Sequence, residues 1–264
     1  MMNYDRIRRI LYKDPIWSAY AIADLNPAVA DSCVWYTGEG APNGDEGVGE
    51  AVVMFFCAFQ PPVLFVTGPV HAVAHALQSA QLPDEAYVSI RGEHESLLMS
   101  YYDFAADRRP MVRMVLRRGE QPKANPVPGL VRLHSDDFAR LKVLYAQGGA
   151  FAPDAFDAYQ LASGVFYGVE GQGGELLAAG GTHIVDWEAG IGAIGNFYTR
   201  GDARRHGYAS ALLSAIVRDL SAGFVDTIVL NVDQRNVDAN HLYERHGFVV
   251  HCPFVEGAGK RVTR

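Results

Sequence analysis

Three things are scarce in this sequence, and each scarcity excludes a class of protein. Cysteine occurs only at Cys33, Cys57 and Cys252. These are far apart and have no paired ligand spacing, so neither a disulfide scaffold nor a structural metal site is expected; reduced thiols and a cytoplasmic location are. Long apolar runs are missing too. The longest covers residues 51–59, against the roughly 20 needed to cross a bilayer. The first residues carry Asp5, Arg6, Arg8 and Arg9 with no apolar stretch behind them, so no signal peptide and no membrane association is expected. Basic charge is also short: Lys and Arg total 23 against 30 Asp and Glu, a net charge of −7. Nucleic acid is therefore not an expected partner, because phosphate contact needs a basic surface. What is present is a 49% hydrophobic, 20% charged chain of 264 residues, the profile of a soluble globular protein of one large or two ordinary domains.

Against that acidic background, residues 197–209 stand out: Phe-Tyr-Thr-Arg-Gly-Asp-Ala-Arg-Arg-His-Gly-Tyr-Ala. The apolar run 191–198 reads as a buried strand. A basic loop with Arg200, Arg204, Arg205 and His206 follows. A helix then opens, with apolar residues at Ala209, Leu212, Leu213, Ile216, Val217 and Leu220, the spacing of one helical face. A strand that feeds a helix N-terminus through such a loop is an anion site, since the free N–H groups of the first turn and the helix dipole both favour negative charge. Gly207 allows close backbone approach, and the arginines supply donors suited to phosphate. Downstream, residues 227–232 read as a buried parallel strand. A helix then begins at Asn236 and closes before Gly247-Phe248.

The hexapeptide Arg204-Arg205-His206-Gly207-Tyr208-Ala209 resembles the Arg/Gln-x-x-Gly-x-Gly/Ala signature of the GNAT superfamily of N-acetyltransferases. Residues 236–248 resemble the family's Asn-x-x-Ala-x-x-Leu-Tyr-x-x-x-Gly-Phe ending. The resemblance covers about residues 130–251. It implies that the loop, Arg204 through Ala209, cradles the pyrophosphate of acetyl-CoA. It implies that Phe197, Tyr198 and Thr199 offer backbone groups to the pantetheine arm, and that their strand splays from 227–232 to admit it. It further implies that Asn236 touches the coenzyme, and that Tyr243 stands near the thioester sulfur as a general acid. The expected reaction is transfer of an acetyl or other short acyl group from acetyl-CoA to a primary amine of a small molecule or peptide, in a ternary complex. A coenzyme A-binding regulatory or structural protein without catalysis is the other reading. No metal is implied, and the state expected is monomer or homodimer.

The general base is where the residues depart from some relatives. Residues 190–199 contain no carboxylate. Nearby stand His183, with an ordinary pKa of about 6.5, and Asp186 and Glu188, which read as turn residues. A water chain could serve in place of His183.

The expected fold is α/β with a mixed sheet. A boundary is expected within residues 119–129, where Pro122, Pro126 and Pro128 interrupt regular structure. It separates residues 1–125 from a GNAT domain at 126–264. Ser135 is expected to cap a helix to Tyr145, Pro153 to open a second ending near Leu161, and 164–169 with 175–186 to form a hairpin. In the first half, strands are expected at 32–37, 49–59, 63–66, 86–90 and 111–116, with helices at 69–77 and 93–102. This repeated order resembles a degenerate GNAT-like half without the pyrophosphate loop, as in the two-halved FR47-like and glycine N-acyltransferase-like branches; an unrelated α+β domain has the same order.

Overall fold

The computed structural model describes residues 3–40, 49–117, 119–124, 126–153 and 156–262. The chain forms two compact units, one of Met1–Val112 with Cys252–Arg264 and one of Arg113–His251. The division is thus at 112/113, ahead of the proline-rich segment, and the last strand returns to the first unit. Asn125, where the expected boundary falls, lies outside the described residues.

The first unit opens with α1 (Tyr4–Leu11) and the short α2 (Ala19–Ala23). Strands β1 (Cys33–Glu39), β2 (Glu50–Phe56) and β3 (Val63–Thr67) follow, then α3 (Val70–Ser79), β4 (Glu85–Ile90), α4 (Gly92–Met99), β5 (Tyr102–Asp103) and β6 (Arg109–Leu116), which runs into the second unit. β1, β2 and β3 pair antiparallel, and β3 and β4 pair parallel. Val53, Phe55, Leu64, Val66, Val73, Leu77, Val88 and Leu98 form its core. Buried Trp17 donates its ring N–H to the Val66 carbonyl at 3.1 Å.

The second unit continues with β7 (Leu130–Leu133), α5 (Phe138–Tyr145), α6 (Ala158–Ser163), β8 (Phe166–Glu170), β9 (Leu176–Asp186), β10 (Ile191–Thr199), α7 (Tyr208–Ala222), β11 (Thr227–Asp233) and α8 (Val237–Arg245). β12 (Phe248–Arg261) begins here and ends in the first unit, antiparallel to β4. Strands β7 to β10 are successively antiparallel, and β10 and β11 are parallel. Successive residues of a strand face opposite sides of a sheet. Accordingly Phe166 packs with Leu141, Leu144 and Leu161 of α5 and α6, while the Tyr167 hydroxyl bonds Asp219 of α7. Both units carry mixed sheets with helices, so the fold class is the expected α/β.

Local differences from the expected elements have local causes. Pro153 does not open α6. Asp157 does: its side chain accepts from the Tyr159 amide, and Gln160 closes the capping box. A single 3₁₀ turn at Ser135–Asp137 precedes α5. α1 and β7 form where no element was expected.

Candidate functional site

The site begins with a defect in β10. Its parallel pairing with β11 covers Ile191 to Ile194 against Thr227 to Leu230 and goes no further. Its register with β9 shifts between Gly195 and Tyr198. There Asn196 takes a left-handed backbone, φ 57°, unusual for a residue with a side chain. Two contacts hold it. The Asn196 carbonyl accepts from the Tyr145 hydroxyl at 2.8 Å, and its side-chain amide donates to Gln160 at 3.2 Å. Tyr198 is tied down by its hydroxyl, which donates to the Gly148 carbonyl at 2.9 Å. The Phe197 ring covers Gly180, where a methyl group would sit 2.9 Å from it. Past the bulge, Phe197, Tyr198 and Thr199 therefore run unpaired on the β11 side.

The loop beyond β10 presents donors. The run 204–207 contains two left-handed residues, Arg205 at φ 65° and Gly207 at φ 79°. Gly207 is the N-cap residue of α7 and provides no side-chain cap. The first intrahelical bond is from the Ala211 amide to the Gly207 carbonyl. No backbone amide from 204 to 210 donates to an acceptor among the described residues. A methyl group on Gly207 would meet nothing within 4 Å, so the backbone conformation demands the glycine, and the space before it is open. Arg200 is neutralised by a two-point pair with Asp202, at 3.0 and 2.6 Å. Exposed Arg204 donates only to the Thr199 carbonyl, and neither it nor Arg205 has a carboxylate partner among the described residues. His206 stacks on Tyr208, 5.6 Å between centroids.

α8 delivers the remaining groups. Asn236 caps it, accepting from the Ala239 amide at 3.3 Å. Seven residues on, close to two turns, Tyr243 is buried edge-on against Phe197 and Phe248, with centroids at 6.1 and 5.9 Å. Its hydroxyl makes no hydrogen bond among the described residues, and burial pushes the phenol pKa well above its ordinary value. The group stays protonated throughout the physiological range. His183 of β9 lies across Gly195, where a methyl group would meet its ring Nε2 at 2.1 Å.

Phe197 to Thr199, the loop 204–209 and the Asn236–Tyr243 face thus belong to one unit. His183 lies on the inner stretch of β10, against the bulge. Other polar groups of this unit lie outside these segments. Asn231 accepts from buried Arg113 at 2.8 Å. A cleft of about 570 Å³ beside the start of α7 is walled by Lys123, Pro126, His206, Gly207, Ser210 and His246. The His246 ring is 2.9 Å from the Ser210 hydroxyl, and burial, then Arg245, holds its pKa below the ordinary histidine value. His206 and Gly207 belong to the loop read from the sequence and Pro126 to the helix-breaking segment; Lys123, Ser210 and His246 carried no signal. No cluster that could hold a metal and no helix long and apolar enough to cross a membrane occurs among the described residues.

Residues 129–248 match the model of the Acetyltransferase (GNAT) family. No curated protein matches the chain. Among solved structures, the chain is similar to a GCN5-related N-acetyltransferase from Kribbella flavida, 14% identical with a TM-score of 0.58 over 93% of this chain and 95% of that one. It is also similar to a GCN5-related N-acetyltransferase-like protein from Streptococcus suis, 14% identical with a TM-score of 0.56 over 98% of both chains. A third, a GCN5-related N-acetyltransferase from Sphaerobacter thermophilus, is 17% identical with a TM-score of 0.51 over 87% of this chain and 82% of that one. These likenesses speak to the fold, and the family model speaks to the segment that carries the loop and α8. The segment 129–248 is thus the part of the chain that matches the GNAT acetyltransferase family, and it contains both the loop and α8.

Proposed function

We propose that the protein transfers an acetyl or other short acyl group from acetyl-CoA to a primary amine of a small molecule or peptide, by direct attack in a ternary complex. The observation that carries this reading is the run of amides at 204–210 with no acceptor among the described residues, set beside a sheet that opens after Ile194. Acetyl-CoA supplies an acyl group already activated as a thioester. The open amides, with Arg204 and Arg205, hold its pyrophosphate as a helix N-terminus holds anions. The unpaired edge at Phe197, Tyr198 and Thr199 gives N–H and C=O groups to the thiol arm, and Asn236 borders it. One N–H of that edge polarises the reacting carbonyl. As the amine nitrogen bonds to the acyl carbon and the carbon–sulfur bond breaks, the Tyr243 hydroxyl gives its proton to sulfur. His183, lying against β10, is the side chain proposed to take the proton from the amine.

Release of free thiol from acetyl-CoA, measured against a panel of amines, tests this. Saturable release with at least one amine class is the expected result. Tight binding of acetyl-CoA with no release for any class would replace it with the reading of a coenzyme A-binding protein without catalysis.

A further inference from the structure

The end of β10 away from the loop carries a feature that folding does not require. Phe224 follows α7 with its side chain 85% exposed and its backbone left-handed, φ 63°. That backbone is unfavourable for a bulky residue, and an exposed ring gains little from burial. Glycine would suit the position better. Trp187, in the turn between β9 and β10, is 46% exposed, and its ring lies against Gly223, where a methyl group would sit 2.3 Å from it. Both turns are fixed. Asp186 accepts from the Glu188 and Ala189 amides at 3.0 Å, and the Gly190 carbonyl accepts from the Asp226 and Thr227 amides at 3.0 Å. Neither Trp187 nor Phe224 stacks on another ring or meets a cation among the described residues. Exposed Glu188 and Asp226 stand in the same two turns, and their carboxylates have no ion-pair or hydrogen-bond partner among the described residues.

Two open aromatic rings beside two unpaired carboxylates suit a cation, and a guanidinium most of all. It stacks on a ring and pairs with a carboxylate through the same planar group. The C-terminus of α7 ends at these turns and adds its partial negative charge. The same charges decide against other occupants. A second copy docked about a twofold axis would set this acidic patch against itself, and an anionic lipid surface would be repelled. We propose that Trp187 and Phe224 form a docking surface for an arginine-bearing segment of a partner protein, with the guanidinium on the rings and Glu188 and Asp226 as its counter-charges. β10 runs nine residues from this surface toward the loop, roughly 30 Å at the rise of a strand. Docking here is therefore independent of what the loop binds.

Trp17 and Trp35 are buried, so acrylamide quenching of the full chain reads Trp187. The probes are hexa-arginine, hexa-lysine and hexa-glutamate peptides at low salt. Hexa-arginine should shield Trp187 saturably. Hexa-lysine should shield it less, because an ammonium does not stack as a planar guanidinium does, and hexa-glutamate not at all. Phe224→Gly should weaken hexa-arginine binding about two- to fivefold, the scale of one exposed cation–π contact, while the melting temperature holds or rises. Glu188→Gln with Asp226→Asn should flatten the salt dependence. No shielding by hexa-arginine, or shielding that these variants leave unchanged, overturns the docking surface. A melting temperature that falls with Phe224→Gly returns the ring to a packing role and overturns it too. Shielding that grows with protein concentration alone, with a dimer in sedimentation that Phe224→Gly dissolves, gives the face to a second copy instead; shielding by anionic phospholipid vesicles but not by hexa-arginine gives it to a membrane.

Discussion

Each unit contains a strand that turns through a left-handed glycine into a helix, and the two turns have opposite surroundings. In the first unit, β3 passes through Gly68, φ 111°, into α3. A methyl group on Gly68 would sit 2.5 Å from the Glu50 carbonyl oxygen and 2.7 Å from the Ala51 Cα. The Gly68 carbonyl accepts from the His94 ring at 2.8 Å, and the next residue, Pro69, has no N–H to offer. In the second unit, β10 passes through a longer loop and Gly207 into α7, with open space before the glycine and amides at 204–210 that reach no acceptor among the described residues. The same strand–glycine–helix sequence is a packed joint in one case and an open turn in the other. The difference is in what crowds the turn, and a glycine in the sequence does not reveal it.

The largest effect should come from filling the open turn. Gly207→Glu places a side chain and a negative charge where the phosphates are proposed to sit, and calorimetry should find acetyl-CoA binding lost, by two orders of magnitude or more on the scale of a buried like-charge contact. Unchanged affinity would remove the cradle from the comparison. Next is Tyr243→Phe, which keeps the buried ring and deletes its proton. Turnover with a good acceptor should fall about 10²- to 10⁴-fold, while melting temperature and coenzyme affinity hardly move. Turnover at the parental rate across the pH range would reduce Tyr243 to packing.

The two glycines can then be set against each other as alanine variants. Gly207→Ala meets only a left-handed backbone cost of roughly 1–2 kcal/mol. Gly68→Ala adds a collision with main-chain atoms and should cost roughly 2–4 kcal/mol, visible as a melting point several degrees lower. Equal losses would mean the two turns are alike in crowding after all.

The last effect concerns pH and the first unit alone. Asp24, at the end of α2, is buried, and desolvation raises its carboxyl pKa to about 8. A group raised in the fold holds its proton more tightly there than in the unfolded chain. Its stabilising contribution is complete below the ordinary carboxyl pKa of about 4 and is lost as pH rises toward 8. Melting curves of Asp24→Asn should therefore decline less over that interval than those of the unmutated protein. Parallel declines would show that the side chain is solvated.

Sequence patterning revealed the second unit best where periodicity is strong. The run from β10 to α8 has an apolar strand, a helix with a regular apolar face, and capping residues at the expected places, so local chemistry and tertiary packing agree. The bulge at Asn196 was invisible, because its conformation is imposed by Tyr145 and Gln160 from distant elements. Pro153 misled for a related reason: a proline tolerates the first turn of a helix, but the capping box at Asp157 and Gln160 decides where α6 starts. Alternation also says nothing about which sheet a strand joins, and β12 ends beside β4. Lys123 and His246 carried no signal, since a cleft assembled from three separate segments has no spacing to read.

The amides at 204–210 also define where this protein is open to stabilisation and what that stabilisation would remove. Natural chains seldom sit at their stability optimum, and helix caps are among the commonest gains, worth about 1 kcal/mol. A selection for heat resistance alone should therefore find this loop, installing an aspartate or a hydroxyl that satisfies the first turn of α7 from within. Each such gain would occupy donors that otherwise remain for a ligand. If the loop binds the coenzyme as proposed, a thermostabilised line that keeps that affinity should carry its changes elsewhere, so the distribution of tolerated caps along this one helix start becomes a genetic map of the proposed phosphate site.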